Sequence, residues 1–333
     1  MQILLTYLNH ETLLQLRLVC RYWRDEIDRI TEIKCDDAEI FKVRDKEYEN
    51  TEYDLDDWPD RFPSNYKLMN ISLFKNLVVL ICTEKKLYGI NKLQKLKVLS
   101  CVQCEIPLID LPNLEELYCS YTKMKKFDHL TNLKVLDCAY CPVRKINLLH
   151  IEELYCEFTK LKKVDHLTTL RILNCVGTNI KKIPNNLVEF YCDRGINKFD
   201  CFENLEILAI SNYDYLDVTD KPLKTFGYLP KLRKLYCSGT NIKAIEINHL
   251  TTLEVLKCDE CNIEYLDLPL LRELSCSYTL VKQVSHLPLL EKLTCIGIDI
   301  VDYMQAKKLS WVMYDDDKIL NIQPDGTRML SEN

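Results

Sequence analysis

A short unit recurs along most of the chain and reads Leu-x-x-Leu-x-Cys-x-x-Thr/Cys-x-Ile. Residues 114–119 are LEELYC, residues 151–156 are IEELYC and residues 232–237 are LRKLYC. Units begin at Leu77, Leu96, Leu114, Leu133, Ile151, Leu170, Leu187, Leu205, Leu232, Leu253, Leu271 and Leu290, mostly 17 to 21 residues apart. A segment this short cannot enclose a hydrophobic core by itself, so it must stack on copies of itself. The pattern predicts a solenoid with a long repetitive surface, an architecture suited to binding other macromolecules. Residues 309–314 (LSWVMY) read as a worn thirteenth copy, and residues 30–40 (ITEIKCDDAEI) as a degenerate early one.

Around the second Leu of each unit, apolar and polar residues alternate, as in a half-buried strand. Stacked copies predict a parallel sheet. The returning segment, for example KMKKFDHLTN from Lys123, is about ten residues, too short for a full helix, so turns and 3₁₀ pieces are expected there. The ninth unit starts 27 residues after the eighth, and SNYDYLDVTDKPLKTFGYLPK reads as a loop bulging from the stack.

This pattern resembles the leucine-rich-repeat family, whose signature is L-x-x-L-x-L-x-x-N/C-x-L. The resemblance covers roughly residues 77 to 314. It implies an α/β solenoid: a right-handed horseshoe with a parallel sheet, short non-helical or 3₁₀ return segments and a small N-terminal helical cap. In this chain Cys replaces the third Leu of the signature. Thr (Thr122, Thr159, Thr178, Thr240, Thr279) or Cys (Cys104, Cys141, Cys261) replaces the Asn, which satisfies backbone groups at the turn. A Thr hydroxyl can do the same more weakly.

Residues 3–27 read ILLTYLNHETLLQLRLVCRYWRDEI. Asn9 is a suitable N-cap for a helix from about Glu11. Leu13, Leu16, Val19, Cys20 and Trp23 then recur at three- and four-residue steps and form one apolar stripe. The segment resembles the F-box, with Tyr7, Leu8, Leu13, Leu16, Val19, Cys20 and Trp23 at the matching positions. The family motif opens on Leu-Pro-x-Glu, so the F-box is expected to be truncated at Met1. Truncated F-boxes beside short repeats also occur in large DNA viruses of protists. The resemblance implies docking on a Skp1-like adaptor of SCF-type ubiquitin ligases through Tyr7, Leu8, Leu13, Leu16, Val19 and Trp23. The alternative is that these helices only cap the open end of the solenoid.

The organisation expected is an F-box-like segment over 1–30, a degenerate repeat and acidic linker over 31–76, the solenoid over 77–314 and a C-terminal cap or tail over 315–333. The linker carries Asp54, Asp56, Asp57 and Asp60 around Trp58-Pro59 and reads as a solvated loop. A first regular strand is expected near residues 68–71.

The chain is 47% hydrophobic with only 7 Gly, which excludes a disordered or collagen-like polymer. A net charge of -6 argues against a nucleic-acid binder working by broad charge attraction. No stretch approaches the roughly 18 apolar residues of a membrane span. The start has no basic n-region, so a signal peptide is not expected. Of 17 Cys, eleven occupy the sixth repeat position: Cys82, Cys101, Cys119, Cys138, Cys156, Cys175, Cys192, Cys237, Cys258, Cys276 and Cys295. An odd count that follows the repeat reads as buried free thiols acting as small hydrophobes. That implies a reducing compartment, cytoplasmic or nuclear.

Three Cys-x-x-Cys pairs, Cys101/Cys104, Cys138/Cys141 and Cys258/Cys261, open an alternative class, a zinc or redox protein. Each pair is simply repeat positions six and nine, and zinc needs four ligands at bonding distance. No metal, cofactor or enzymatic activity is expected. His129, His166, His249 and His286 all precede Leu at the end of a repeat, which marks a structural turn position.

Side chains at repeat positions three, five and seven are expected to point away from the core. Position five carries Tyr118, Tyr155, Tyr191 and Tyr236. Position eight adds Tyr121, Tyr140, Phe158 and Tyr278 along the rim. Tyr columns suit protein-binding surfaces, because each ring gives large contact area at low entropic cost. The candidate target-binding face is therefore Tyr118, Tyr121, Tyr155, Phe158, Tyr191, Tyr236 and Tyr278. Glu116, Asp137, Glu153, Glu157, Glu189 and Asp193 make its early part acidic, and Lys234, Lys257 and Lys292 make its later part basic. Lys125-Lys126, Lys162-Lys163 and Lys181-Lys182 fall on return segments and read as a solubilising stripe. The function these features imply together is the substrate-recognition subunit of an SCF-type ubiquitin ligase. The alternative is a scaffold or inhibitor with no role for Skp1.

Overall fold

Most units spend three residues, repeat positions three to five, on a strand, three run on to position seven as Glu189–Asp193, Ile207–Ser211 and Trp311–Asp315, and the rest of each unit returns the chain to the next copy. The computed structural model describes residues 32–34, 67–72, 74–193, 196, 198–199, 202–211, 225–240, 242–300, 302–315, 318–323 and 327–332. The chain divides into two compact units, Met1–Leu154 and Tyr155–Asn333.

In the first unit, Glu32–Lys34, Val79–Ile81, Val98–Ser100, Glu116–Tyr118 and Val135–Asp137 pair in parallel and in register. Position four of every copy therefore falls in one row: Ile33, Leu80, Leu99, Leu117 and Leu136. The segment ITEIKCDDAEI thus contributes its Glu32–Lys34 strand to the sheet at template positions three to five. Lys67–Asn70 does not join this sheet. It pairs in parallel with Lys85–Tyr88 in a separate two-stranded ladder, because Lys85–Tyr88 lies beyond position eight of its own repeat.

In the second unit, Ile172–Asn174, Glu189–Asp193, Ile207–Ser211, Lys234–Tyr236, Val255–Lys257, Glu273–Ser275, Lys292–Thr294 and Trp311–Asp315 pair in parallel and in register with one another. Lys318–Ile322 and Arg328–Glu332 then pair antiparallel. Adjacent antiparallel strands need only a short connection, whereas another parallel strand needs a full crossover. Helix is confined to a four-residue turn, Ala244–Ile247, and 3₁₀ pieces at Ile90–Lys92 and Tyr303–Gln305 among the described residues. The bulge after the eighth unit lies outside the described residues over 212–224. Its end is ordered: Thr225–Phe226 pairs with Lys198–Phe199, and Phe226 stacks on Phe199 at 5.6 Å.

The core is built from positions one, four and six and from a three-residue step along the return segment. In one repeat these are Leu114, Leu117, Cys119, Met124, Phe127 and Leu130, all buried. Three residues per turn place every third side chain inward without a helix. A fully buried Leu contributes about 1.5–3 kcal/mol relative to exposure. The 14 described cysteines are all free and buried.

Position nine closes the turn. Thr159, Thr178 and Thr279 donate their hydroxyls to the carbonyl of position six of the same repeat at 2.6–2.7 Å, and Thr240 does likewise to Cys237. His129 and His286 reach the backbone carbonyls of Ile109 and Leu266, one turn earlier. The recurrent His therefore ties return segments together.

Position eight is left-handed in repeat after repeat. Gln103, Tyr121, Tyr140, Phe158, Glu260 and Tyr278 have φ between 53° and 60°, and Gly177, Gly239 and Gly297 lie at 68–70°. The Phe158 ring covers the backbone at Gly177, and a Cβ added to Gly177 would run into that ring. Gly177→Ala should therefore destabilise the chain by about 1–2 kcal/mol, the scale of a left-handed residue, read from urea unfolding. Removing the ring as well, in Phe158→Ala/Gly177→Ala, should recover part of that loss. A Gly177→Ala protein as stable as the parent would contradict this reading of the turn.

Candidate protein-binding face

Parallel register turns repeat positions into rows. In the second unit, position five gives Asn174–Tyr191–Ala209–Tyr236–Lys257–Ser275–Thr294–Met313. Position three gives Ile172–Glu189–Ile207–Lys234–Val255–Glu273–Lys292–Trp311 beside it. Tyr191 and Tyr236 thus share a row with only Ala209 between them, a small side chain that leaves a shallow saddle between two rings. In the first unit the corresponding row is Ile81–Ser100–Tyr118–Asp137.

The Tyr side chains at position five are half-buried, not water-facing columns. Their neighbours in the row stand about 4.8 Å away. Tyr118 donates its hydroxyl to Glu116 at 2.8 Å, and Tyr191 to Glu189 at 3.0 Å. Burial, and then the Glu189 carboxylate, push the Tyr191 hydroxyl well above its ordinary pKa. Burial does the same to Tyr236, whose ring carries the Lys257 ammonium at 5.6 Å. These rings are held in fixed orientations, each with a polar tip available at the surface. Tyr155 closes the strand Glu153–Tyr155 and is half-buried.

The position-eight aromatics do two things. Tyr121 and Tyr140 stack at 4.4 Å and 14° along the rim of the first unit. Phe158 is half-buried over Gly177, and Tyr278 packs on Gly297 yet stays 59% exposed. Tyr278 is the most open of the candidate side chains. The rest of the rim has a packing role that sequence reasoning did not separate from binding.

Position seven does not point outward throughout. Ser120, Ala139, Glu157, Val176 and Ser277 are buried. In these copies strand alternation ends at position five, and the chain is already turning toward the left-handed residue, whereas Glu189–Asp193 and Ile207–Ser211 alternate through position seven. Glu157 therefore drops out of the acidic surface. Asp259 instead organises this row: it accepts from the Ser275 hydroxyl at 2.7 Å, the Ser277 N–H at 2.7 Å and the Ser238 hydroxyl at 3.1 Å.

A charge ladder at position two was missed. Lys97 and Lys134 flank Glu115 at 2.7 and 3.3 Å. Arg233 forks onto Glu254 at 2.9 and 2.8 Å, and Arg272 meets Glu291 at 2.6 Å. The signal was in the sequence: position two alternates in sign, as Lys97, Glu115, Lys134, Glu152 and as Arg233, Glu254, Arg272, Glu291. Unlike charges meet across parallel strands in such a column. Lys292 also pairs with Glu273 at 2.8 Å. With Lys257 over Tyr236, two of the three later lysines are engaged within the face itself. Lys125, Lys126, Lys162, Lys163, Lys181 and Lys182 are exposed on the return segments.

Among the described residues, no group of three or more His, Cys, Asp or Glu is arranged to hold a metal ion. Burial raises the thiols of Cys101, Cys192, Cys258 and Cys276 well above the ordinary range, and lifts Cys295 to about 11. No described helix is long and apolar enough to cross a membrane. Tyr7, Leu8, Leu13, Leu16, Val19, Cys20 and Trp23 lie outside the described residues, as does the acidic linker over 41–66.

The chain is similar to the crystal structure of an internalin (inlF) from Listeria monocytogenes, with TM-score 0.56 and 17% identity over 73% of this chain and 82% of that one. It is also similar to the functional domain of InlJ from the same species, which includes a cysteine ladder. There the TM-score is 0.52 and the identity 22%, over 74% of this chain and 64% of that one. No family model and no curated protein matches the sequence. At these identities the likeness defines the fold class: this is a leucine-rich-repeat solenoid.

Proposed function

We propose that the chain is a protein-binding leucine-rich-repeat module serving as the substrate-recognition subunit of an SCF-type ubiquitin ligase. The repeat face holds a target protein, and the N-terminal segment holds a Skp1-like adaptor through Tyr7, Leu8, Leu13, Leu16, Val19 and Trp23. The chain performs no chemistry and acts by proximity, presenting target lysines to a charged ubiquitin-conjugating enzyme.

The observation that carries target binding is the row holding Tyr191, Ala209, Tyr236 and Lys257. It joins two rigid amphipathic rings and a cation on one solvated sheet face, the residue types that anchor protein interfaces. The adaptor role is supported by the residue pattern at positions 7 to 23 alone. A scaffold or inhibitor would use the same face without an adaptor.

Replacing Tyr191 and Tyr236 together with Ala should weaken capture of a target, once one is isolated by affinity purification and mass spectrometry, by about 2 kcal/mol or more. The far-ultraviolet circular dichroism should stay that of the parent. Unchanged capture by the double variant would move the contact off this row.

A further inference from the structure

Sequence spacing pairs Cys138 with Cys141 and Cys258 with Cys261, but the fold pairs each position-nine cysteine with position six of the preceding turn. Cys104 lies 4.0 Å from Cys82, sulfur to sulfur. Cys141 contacts the Cys119 carbonyl at 3.1 Å, and Cys261 the Cys237 carbonyl at 3.1 Å. A Thr hydroxyl sits beside each of these two position-nine sulfurs, Thr122 at 3.4 Å from Cys141 and Thr240 at 3.8 Å from Cys261. Lys85 occupies the corresponding place beside the first pair.

We propose that Cys119–Cys141 and Cys237–Cys261 are cross-turn dithiols that a hydroperoxide oxidises to disulfides, covalently tying neighbouring turns. A disulfide needs the two sulfurs at about 2.05 Å, and in each pair the position-nine sulfur already lies 3.1 Å from the backbone carbonyl of its position-six partner, so side-chain rotation is the motion required. The position-nine thiolate attacks the peroxide oxygen, the O–O bond breaks, and hydroxide leaves, which gives a sulfenic acid. The position-six thiol then attacks the sulfenic sulfur. Its proton and the departing hydroxyl leave as water, and one S–S bond remains. Each disulfide formed consumes one hydrogen peroxide and two thiol hydrogens and releases two waters.

The position-nine sulfur is the better nucleophile of each pair. The Cys237 thiol, and then the Thr240 and Ile242 N–H groups, draw Cys261 down to about 6, and the Cys119 thiol and Thr122 lower Cys141. The Cys237 carbonyl, which accepts from the Cys261 thiol, opposes this. The position-six partners Cys119 and Cys237 are raised, as a resolving thiol that acts second permits. This inference does not depend on which partner the face binds.

The test is to expose the reduced, folded full chain to hydrogen peroxide, block remaining thiols, digest without reductant and read cross-linked peptides by mass spectrometry. The expected products are Cys119–Cys141 and Cys237–Cys261 links. The second should be lost in Cys237→Ser and in Cys261→Ser and retained in Cys258→Ser. Thr122→Val keeps both thiols of the other pair and removes the hydroxyl beside Cys141, so it should slow the Cys119–Cys141 link and carries the test if a serine variant fails to fold. Links within a repeat, at Cys138–Cys141 or Cys258–Cys261, would overturn the proposal. So would a folded chain whose thiols link only after denaturation, or a Thr122→Val chain that forms the Cys119–Cys141 link at the parent rate.

Discussion

Leu235→Ala should destabilise the chain by about 2–5 kcal/mol, the range for a fully buried Leu that leaves a cavity. Leu235 has no solvent exposure. It stands in register between Leu208 and Leu256, themselves fully buried, so the site has little room to collapse. In a solenoid each turn is stabilised by its two neighbours, so the loss spreads along the stack. Urea unfolding should shift to lower concentration. Hydrogen exchange should quicken first in Ile207–Ser211 and Val255–Lys257, the strands on either side. Lys234, one residue earlier, is exposed, and Lys234→Ala should change stability by less than about 0.5 kcal/mol. Similar effects of the two substitutions would contradict the stacking described here.

The second large effect concerns the proposed adaptor contact. Leu8→Asp or Leu13→Asp should abolish co-purification of a Skp1-like adaptor, because an unpaired carboxylate buried in an apolar contact costs several kcal/mol. Thermal unfolding of the repeats should be unchanged in either variant. An adaptor that still binds both variants at parental strength would place its contact elsewhere on the chain. Loss of the repeat fold in either variant would show that the N-terminal segment packs on the solenoid as a cap.

Much of the fold was legible because the repeat is redundant. A dozen copies each report which positions are apolar, and strict in-register stacking makes the period itself the topology. The Cys column and the recurrent His were readable for the same reason: one structural role repeated many times. Side-chain direction beyond the strand was less legible. The alternation rule fails at position seven because the chain leaves the extended region there, and nothing local in Glu157 or Val176 announces it. The left-handed turn at position eight was hidden too. Gly177, Gly239 and Gly297 hint at it, but Tyr121, Tyr140, Phe158 and Tyr278 occupy the same conformation and mask the Gly signal. Those aromatics therefore read as binding residues, although part of their role is to cover the next turn.

The Cys-x-x-Cys spacing misled for a related reason. Adjacency along the chain is not adjacency across a stack, and Cys141 and Cys261 donate to the backbone carbonyls of cysteines 22 and 24 residues back. The charge ladder at position two had a clear signature in alternating sign. It becomes visible only when copies are aligned column by column and charge, not hydropathy, is followed down each column.

The most direct test of the functional account is size-exclusion chromatography with light scattering of this chain, alone and with a purified Skp1-like adaptor. The account predicts a stoichiometric complex with the adaptor, lost in Leu8→Asp, and poor solubility or self-association without it, because an uncovered stripe of Leu and Tyr is an aggregation liability. A soluble monomer that elutes unchanged in the presence of adaptor would contradict the ubiquitin-ligase role and leave a leucine-rich-repeat scaffold.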